Sequence, residues 1–229
     1  MPETVLPRKL RRPGLSFAWN LIKKSVFQRA TGSQHKPVTA EPGDLGITFI
    51  GHASFFLQIG GLNVLIDPVF ASRLVLIRRF RKPGVRLKDL PAIDAVLLTH
   101  AHMDHLNFPS LRSIIRHTRK LTGKPPLAVV PWGVEDLVKK LGFSQIRSLQ
   151  WWQSTNILGI EITSTPAEHW GARMLHDTHR GFGGYVLRYS AQAVYHSGDT
   201  GYFPGFTEIQ QRLYPQIALL PIGAYKPDG

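Results

Sequence analysis

Residues 98–110 read LLTHAHMDHLNFP, and within six positions behind the apolar run they hold His100, His102, Asp104 and His105. A strand ending at Thr99 leaves the following residues on a loop at a sheet edge, where backbone curvature turns alternate side chains toward one point. His100 and His102, two apart, offer imidazole nitrogens to one cation. Asp104 and His105 reach a second position beside it. Zinc suits this donor set, because it accepts nitrogen and carboxylate oxygen in tetrahedral or five-coordinate geometry. The chain has no cysteine, so a metal bound here takes imidazole and carboxylate ligands and no thiolate.

The elements that must position these side chains follow from the apolar patterning. GITFIGHASFFLQIGGLNVLIDPVF reads as three short strands, ITFIG, SFFLQIG and LNVLIDP, with a Gly60-Gly61 turn between the last two. AIDAVLLTH is nearly continuously apolar, as a strand buried on both faces is. SLRSIIRHTR and GVEDLVKKLG carry helical spacing, the second ending at Gly142 in the manner of a C-cap. LAVVP, ILGIEITSTPA, GGYVLRYS, AVYHSGD and QIALLPIG supply further strands. Strands alternating with helices predict an α/β layered domain around buried sheets.

Composition bounds what that domain does. The 229 residues, 43% of them hydrophobic, are enough for one large core. Apolar stretches such as AIDAVLLT and IALLPIGA fall far short of the roughly 20 residues of a membrane-spanning helix. The N-terminal GLSFAWNLI is broken by Asn20, followed by Lys23 and Lys24, and lacks a small-residue cleavage pattern, which gives the expectation of a cytoplasmic protein. The net charge of +13 has two concentrated sources: eight Lys or Arg in residues 8–36 and seven in residues 73–88. Such fields attract phosphate esters, nucleic acid or an acidic lipid surface. The chain lacks an aromatic-and-basic nucleic-acid motif, so nucleic acid is the least favoured of these partners. The first basic segment also carries Leu15, Phe17, Trp19, Leu21, Ile22, Val26 and Phe27, a set that fits a helix with one apolar face, packed on the body or on a membrane. Residues 1–45 are therefore expected to form a basic, partly helical extension, and residues 46–229 the folded domain.

THAHMDHLN resembles the signature of the metallo-β-lactamase-fold hydrolases. GHASFFLQIGGLNVLIDP resembles the early strands of that family, PAEHWG its third-histidine loop and HSGDTGY its bridging-aspartate loop. Within the superfamily, LQWWQS, PAEHW, GFGGYVL, SGDTGYFPGF and ALLPIGAY together resemble the branch containing N-acylphosphatidylethanolamine-hydrolysing phospholipase D and its bacterial relatives. The similarity runs over residues 46–226.

The resemblance implies a four-layer αββα sandwich with two zinc ions at one edge of its sheets. His100, His102 and His169 would hold one ion, Asp104 and His105 the other, with Asp199 bridging both. A tight turn at Gly198 lets the Asp199 carboxylate project from a strand end. The implied chemistry is hydrolysis by a metal-bound hydroxide, with Asp104 as the catalytic residue that orients the water and accepts its proton. The implied substrate is a phosphodiester such as a phospholipid, met at an anionic membrane surface. A lactone or carboxylic-ester hydrolase is the alternative within the same fold, and a degenerate, non-catalytic metal-binding protein is the alternative outside enzymes. Oligomerisation stays open.

Relatives continue beyond PIGAYKPDG with a helix, a strand and a last histidine that completes the second zinc position. On this reading the sandwich lacks its C-terminal elements, and the 229 residues belong to a truncated product or a longer protein. Asp104, His105 and Asp199 then leave the second ion weakly held or missing, and apolar sheet surface lies uncovered. His176, His179 and His196 are expected to be surface or supporting residues, and His179 and Arg180 lie in a loop placed to meet substrate. Phe182 and Glu168, where relatives often have tryptophan and glutamine, are expected to retune the pocket.

Overall fold

A computed structural model describes residues 30–41, 43–74, 77–169, 171, 173, 177 and 179–222. The apolar positions expected to form an N-terminal helix, Trp170, His176 and the last seven residues lie outside the described residues.

Among the described residues, two sheets stack face to face. The first takes the order β1 (Gly46–Gly51), β2 (Ser54–Ile59), β3 (Leu62–Ile66), β6 (Ala95–Leu97), β7 (Leu127–Pro131), β8 (Ile146–Leu149). Its first three strands are an antiparallel meander, and from β3 onward the pairing is parallel. The second sheet takes the order β13 (Ile217–Leu219), β12 (Gln192–His196), β11 (Gly184–Tyr189), β10 (Ile160–Thr165), β9 (Ser154–Ile157), antiparallel except for the β12–β13 pair. Between β3 and β6 a small hairpin, β4 (Arg73–Leu74) and β5 (Ile77–Arg78), opens the second basic segment with Arg73 and Arg78.

Three apolar layers hold the sandwich together, each contributing about 1.5–3 kcal/mol per fully buried aliphatic side chain. Leu57, Ile59, Val64, Ile66 and Leu97 meet Ile160, Ile162, Tyr185, Leu187 and Val194 between the sheets. On the outer face of the first sheet, Phe56, Leu65, Val96 and Val130 pack against Leu111 and Ile114 of α1 (Phe108–Thr122) and Val138 of α2 (Glu135–Val138). On the outer face of the second, Val186, Ala193 and Tyr195 cover Ile209 of α3 (Gly205–Leu213). Helix, sheet, sheet, helix is the αββα order that the resemblance implied.

Several local readings change. GVEDLVKKLG predicts a long helix, but only Glu135–Val138 is helical. The N-cap Val134 offers no side-chain acceptor, and the Leu141 amide bonds back three residues to Val138, so the chain closes a tight turn before Gly142. The strand in AIDAVLLTH is three residues long, all buried. ILGIEITSTPA is split by the Leu158-Gly159 turn, both residues at positive φ, so it contributes to two strands. The edge strand β13 leaves Ile217 exposed, with Leu220 and Ile222 after it.

Candidate metal centre

Strands β3, β6, β10 and β12 end at the same rim of the sandwich as the β1–β2 turn, and each delivers a titratable side chain there. After β6 the chain folds through His100–His105, with the amides of His105 and Leu106 bonding back to the His102 carbonyl. Arg173 clamps this loop: Nη1 donates to the carbonyls of Ala101 (2.8 Å) and Leu106 (2.9 Å), and its guanidinium lies 4.4 Å from the centre of the Phe108 ring. Asn107 starts α1 directly after the loop, its side chain capping the Ser110 amide at 3.0 Å.

Asp67, at the end of β3, fixes His105 directly and His100 through Thr99. It is fully buried in the left-handed conformation (φ 44°), which aspartate tolerates. Oδ1 accepts from the Thr99 amide at 2.8 Å, and Oδ2 accepts from Thr99 Oγ1 at 2.6 Å and from His105 Nδ1 at 2.7 Å. Thr99 has one hydroxyl hydrogen, and the carboxylate takes it. The 2.9 Å contact between Thr99 Oγ1 and His100 Nδ1 is therefore a bond donated by the histidine. This sets the tautomer of His100 and leaves a lone pair on Nε2, which is buried and has no hydrogen-bond partner. A buried nitrogen lone pair with no donor facing it is unfavourable unless a cation fills the gap. By the same logic the Asp67 bond to His105 Nδ1 turns His105 Nε2 outward, 3.2 Å from Asp199 Oδ2. Carboxylates behind histidines orient metal ligands in this way.

The remaining donors arrive from the second sheet. His169 Nε2 lies 3.2 Å from His102 Nδ1, and donor atoms of His100, His102 and His169 all fall within 4.8 Å of one another. Asp199 follows the Ser197-Gly198 turn after β12. Gly198 has φ 63°, and a Cβ there would stand 2.7 Å from the Gly183 carbonyl and 2.9 Å from Thr99 Cβ, so no larger residue fits. The two loops of this sheet are tied together where Glu168 N donates to Thr200 Oγ1 (2.9 Å) and Gly201 N donates to the Glu168 carbonyl (2.9 Å).

Electrostatics prepare the donors. Burial, with the neighbouring imidazoles, holds His100 well below the usual histidine range; burial and His102 bring His169 down to about 4. Burial raises Asp104 and Asp199, but hydrogen bonds from His52 and His105 respectively outweigh it and keep both carboxyls below their ordinary range. His105 runs the other way: burial disfavours its charge, and the carboxylates of Asp67 and Asp199 overcome burial and raise it. At neutral pH the rim thus presents ionised carboxylates and neutral His100 and His169, with one proton on His105 for a cation to displace.

All six residues expected at the site, His100, His102, Asp104, His105, His169 and Asp199, reach this rim. Two that sequence reasoning missed stand with them. Asp67 is the buried carboxylate behind His105. His52, on the β1–β2 turn, lies with Nε2 3.2 Å from Asp104 Oδ2 and its ring 5.2 Å from that of His105. The signals were the LIDP at the end of β3 and the GHA between β1 and β2.

Other expectations shift. His196 is buried with both ring nitrogens engaged, Nε2 donating to the Ala53 carbonyl (3.0 Å) and Nδ1 accepting from the Gly198 amide (3.1 Å). It supports the site by joining the His52 turn to the Asp199 turn. Arg180 is buried and paired with Asp136 and Asp177, and it donates to the Gly133 carbonyl. It braces the loop instead of facing substrate, because a buried guanidinium needs carboxylates and carbonyls around it. His179 is exposed. Phe182 stacks edge-on against Trp151 at 5.6 Å and lies 6.2 Å from His169, so these rings wall the His169 side.

The donors are spaced as the ligands of a divalent metal ion such as zinc are. Bonds of about 2.0–2.1 Å in a tetrahedron place two ligand atoms about 3.3 Å apart. The contacts His102–His169, His105–Asp199 and His52–Asp104 are each 3.2 Å.

A family profile described as a beta-lactamase superfamily domain matches residues 62–229. Among curated proteins, the chain is 29% identical to N-acyl-phosphatidylethanolamine-hydrolyzing phospholipase D 1 of Caenorhabditis elegans, over 94% of this chain and 68% of that protein. It is 32% identical to a metal-dependent hydrolase of Methanopyrus kandleri, over 78% of this chain and 72% of that one. Other curated relatives are longer, and the chain spans 49% of a mycobacterial protein and 40% of a yeast one. Among solved structures it superposes on Igni18, a metallo hydrolase of Ignicoccus hospitalis, with a TM-score of 0.62 at 26% identity, covering 79% of this chain and 72% of the other.

Proposed function

The chain belongs to the beta-lactamase superfamily, and on that premise we propose that it is a zinc-dependent hydrolase whose substrate is a phosphodiester, of the kind found in a phospholipid. The observation that carries this reading is the rim itself. Two groups of donors stand side by side, His100 with His102 and His169, and Asp104 with His105, and Asp199 reaches His105 between the sheets. His100, His102 and His169 would hold one ion, Asp104 and His105 the other, with Asp199 shared. Two divalent ions supply the charge that makes water nucleophilic at neutral pH and offsets negative charge on the substrate oxygens.

The chain's own groups do the rest. Asp104, partly exposed and ionised, accepts a hydrogen bond from the attacking water and so orients it. Asp67 and Thr99 keep His100 and His105 in the tautomers that point lone pairs into the site. The Trp151 and Phe182 rings shield one flank from solvent. Arg79 lies against Gly51, beside the His52 turn, and donates to the carbonyls of Val69 (2.5 Å) and Arg81 (2.8 Å), which places a fixed positive charge next to the rim.

Phosphodiester is the preferred substrate class because the nematode relative is named for hydrolysing one, and because the net charge is +13. Arg73, Arg81, Lys82, Arg86 and Lys88 are exposed on and after the β4–β5 hairpin, a face suited to an anionic lipid surface. No helix among the described residues is long and apolar enough to cross a membrane, and the proposed association is peripheral, through this basic face.

Turnover of bis-p-nitrophenyl phosphate and of a simple lactone by the zinc-loaded chain, alongside His102→Ala, tests the reading. Phosphodiester cleavage lost in the variant is the expected result. Lactone turnover alone would move the substrate to the ester class, and metal binding without either activity would make the chain a binding protein. Flotation with anionic liposomes at low salt tests the membrane face.

A further inference from the structure

We infer that His52 is a metal ligand at the second position, together with Asp104 and His105. This rests on the two-metal reading above and adds a donor to it from a separate part of the chain. Donor atoms of His52, Asp104 and His105 all lie within 4.8 Å of one another. His52 Nε2 is 3.2 Å from Asp104 Oδ2, the separation of about 3.3 Å that two ligands of one tetrahedral zinc ion adopt. His105 Nδ1 is committed to Asp67, so Nε2 is the atom it brings to this group.

The backbone around His52 is built to hold it there. Gly51 (φ 129°) and His52 (φ 56°) are both at positive φ, a conformation that costs a non-glycine residue energy and persists where the surroundings enforce it. Three hydrogen bonds enforce it. Gly84 N donates to the Ile50 carbonyl at 2.7 Å, His196 Nε2 donates to the Ala53 carbonyl at 3.0 Å, and Ser54 Oγ donates to the Asp67 carbonyl at 2.6 Å. The third ties the His52 turn to the residue that orients His105. Through His196, the second ties it to the Gly198 amide beside Asp199. A surface histidine with no ligand role needs none of this bracing. The His52 side chain is 51% exposed, so the ion it completes faces incoming substrate.

The alternative role, a hydrogen bond that merely orients Asp104, separates by substitution. His52→Gln keeps an N–H for Asp104 but is a poor zinc ligand, and His52→Ala removes both. Zinc affinity of each, read by chelator competition with the metal-free protein, gives the answer, and cobalt absorption reports the coordination number. Both variants should bind the first ion as the wild type does and the second more than about 100-fold more weakly, beyond the usual 10–100-fold effect of an orienting partner. Metal-free melting temperatures should stay unchanged, because the ring is half exposed. Recovery of second-ion affinity in His52→Gln, or an unchanged affinity in His52→Ala, overturns the inference alone. A wild-type chain that binds no second ion overturns the two-metal reading with it.

Discussion

Asp67→Asn isolates the carboxylate that organises the rim. Asparagine has the same volume and tolerates the left-handed backbone at φ 44°, so the substitution changes only charge and acceptor count. Three donors converge on Asp67: the Thr99 amide on Oδ1, and the Thr99 hydroxyl and His105 Nδ1 on Oδ2. The amide oxygen of asparagine serves the two on one side, and its NH2 then faces the Thr99 N–H. A buried donor left without an acceptor costs about 1–3 kcal/mol, and each charge-assisted bond made neutral loses about 1 kcal/mol. The metal-free variant should therefore be about 3–5 kcal/mol less stable. For a chain of this size a melting temperature falls about 2–4 °C per kcal/mol, so thermal unfolding in chelator should shift down by about 6–20 °C. Zinc affinity at the His105 position should fall about 10–100-fold. A melting temperature within about 2 °C of wild type, with unchanged zinc affinity, would refute the claim that Asp67 fixes the tautomers of His100 and His105.

Arg173→Ala frees the Ala101 and Leu106 carbonyls and uncovers Phe108; a loss of about 2–3 kcal/mol and faster proteolysis at residues 100–106 are expected, measured by urea unfolding and limited digestion. Gly198→Ala puts a Cβ 2.7 Å from the Gly183 carbonyl at φ 63°; calorimetry should show a stability loss of about 2 kcal/mol or more, and zinc titration a weakened site through Asp199. His196 is held below its ordinary pKa, by burial first. The unfolded chain then binds the extra proton, so its contribution to stability is complete above about pH 6.5 and is lost as pH falls below that value. His196→Gln should therefore show a shallower loss of metal-free stability than wild type between pH 6.5 and 5, and parallel curves would count against a buried, neutral His196.

Much of the site was legible because its first four ligands are local. HAHMDH places its side chains by loop geometry alone, and the loop follows an apolar strand that reads plainly. His169 and Asp199 lie 67 and 97 residues further on from His102, and only the resemblance connected them to it. Asp67 and His52 were legible as residues but not as site members. An aspartate ending a strand and a histidine in a turn are ordinary in any sequence, and what distinguishes these is a third dimension: the parallel pairing of β3 with β6 brings Asp67 beneath Thr99, and the bonds of His196 bring the His52 turn to Asp199. The helix expected over residues 133–142 failed for a local reason, the uncapped Val134, which packing on the first sheet did not override. Arg180 looked like a substrate contact because Asp136, 44 residues away, is joined to it only by the fold.

A crystal of the zinc-loaded chain, with diffraction collected above and below the zinc absorption edge, tests the central claim most directly. Two anomalous peaks are expected about 4 Å apart, one among His100, His102 and His169 and one beside Asp104 and His105, with Asp199 between them. Fewer than two peaks at the rim would contradict it.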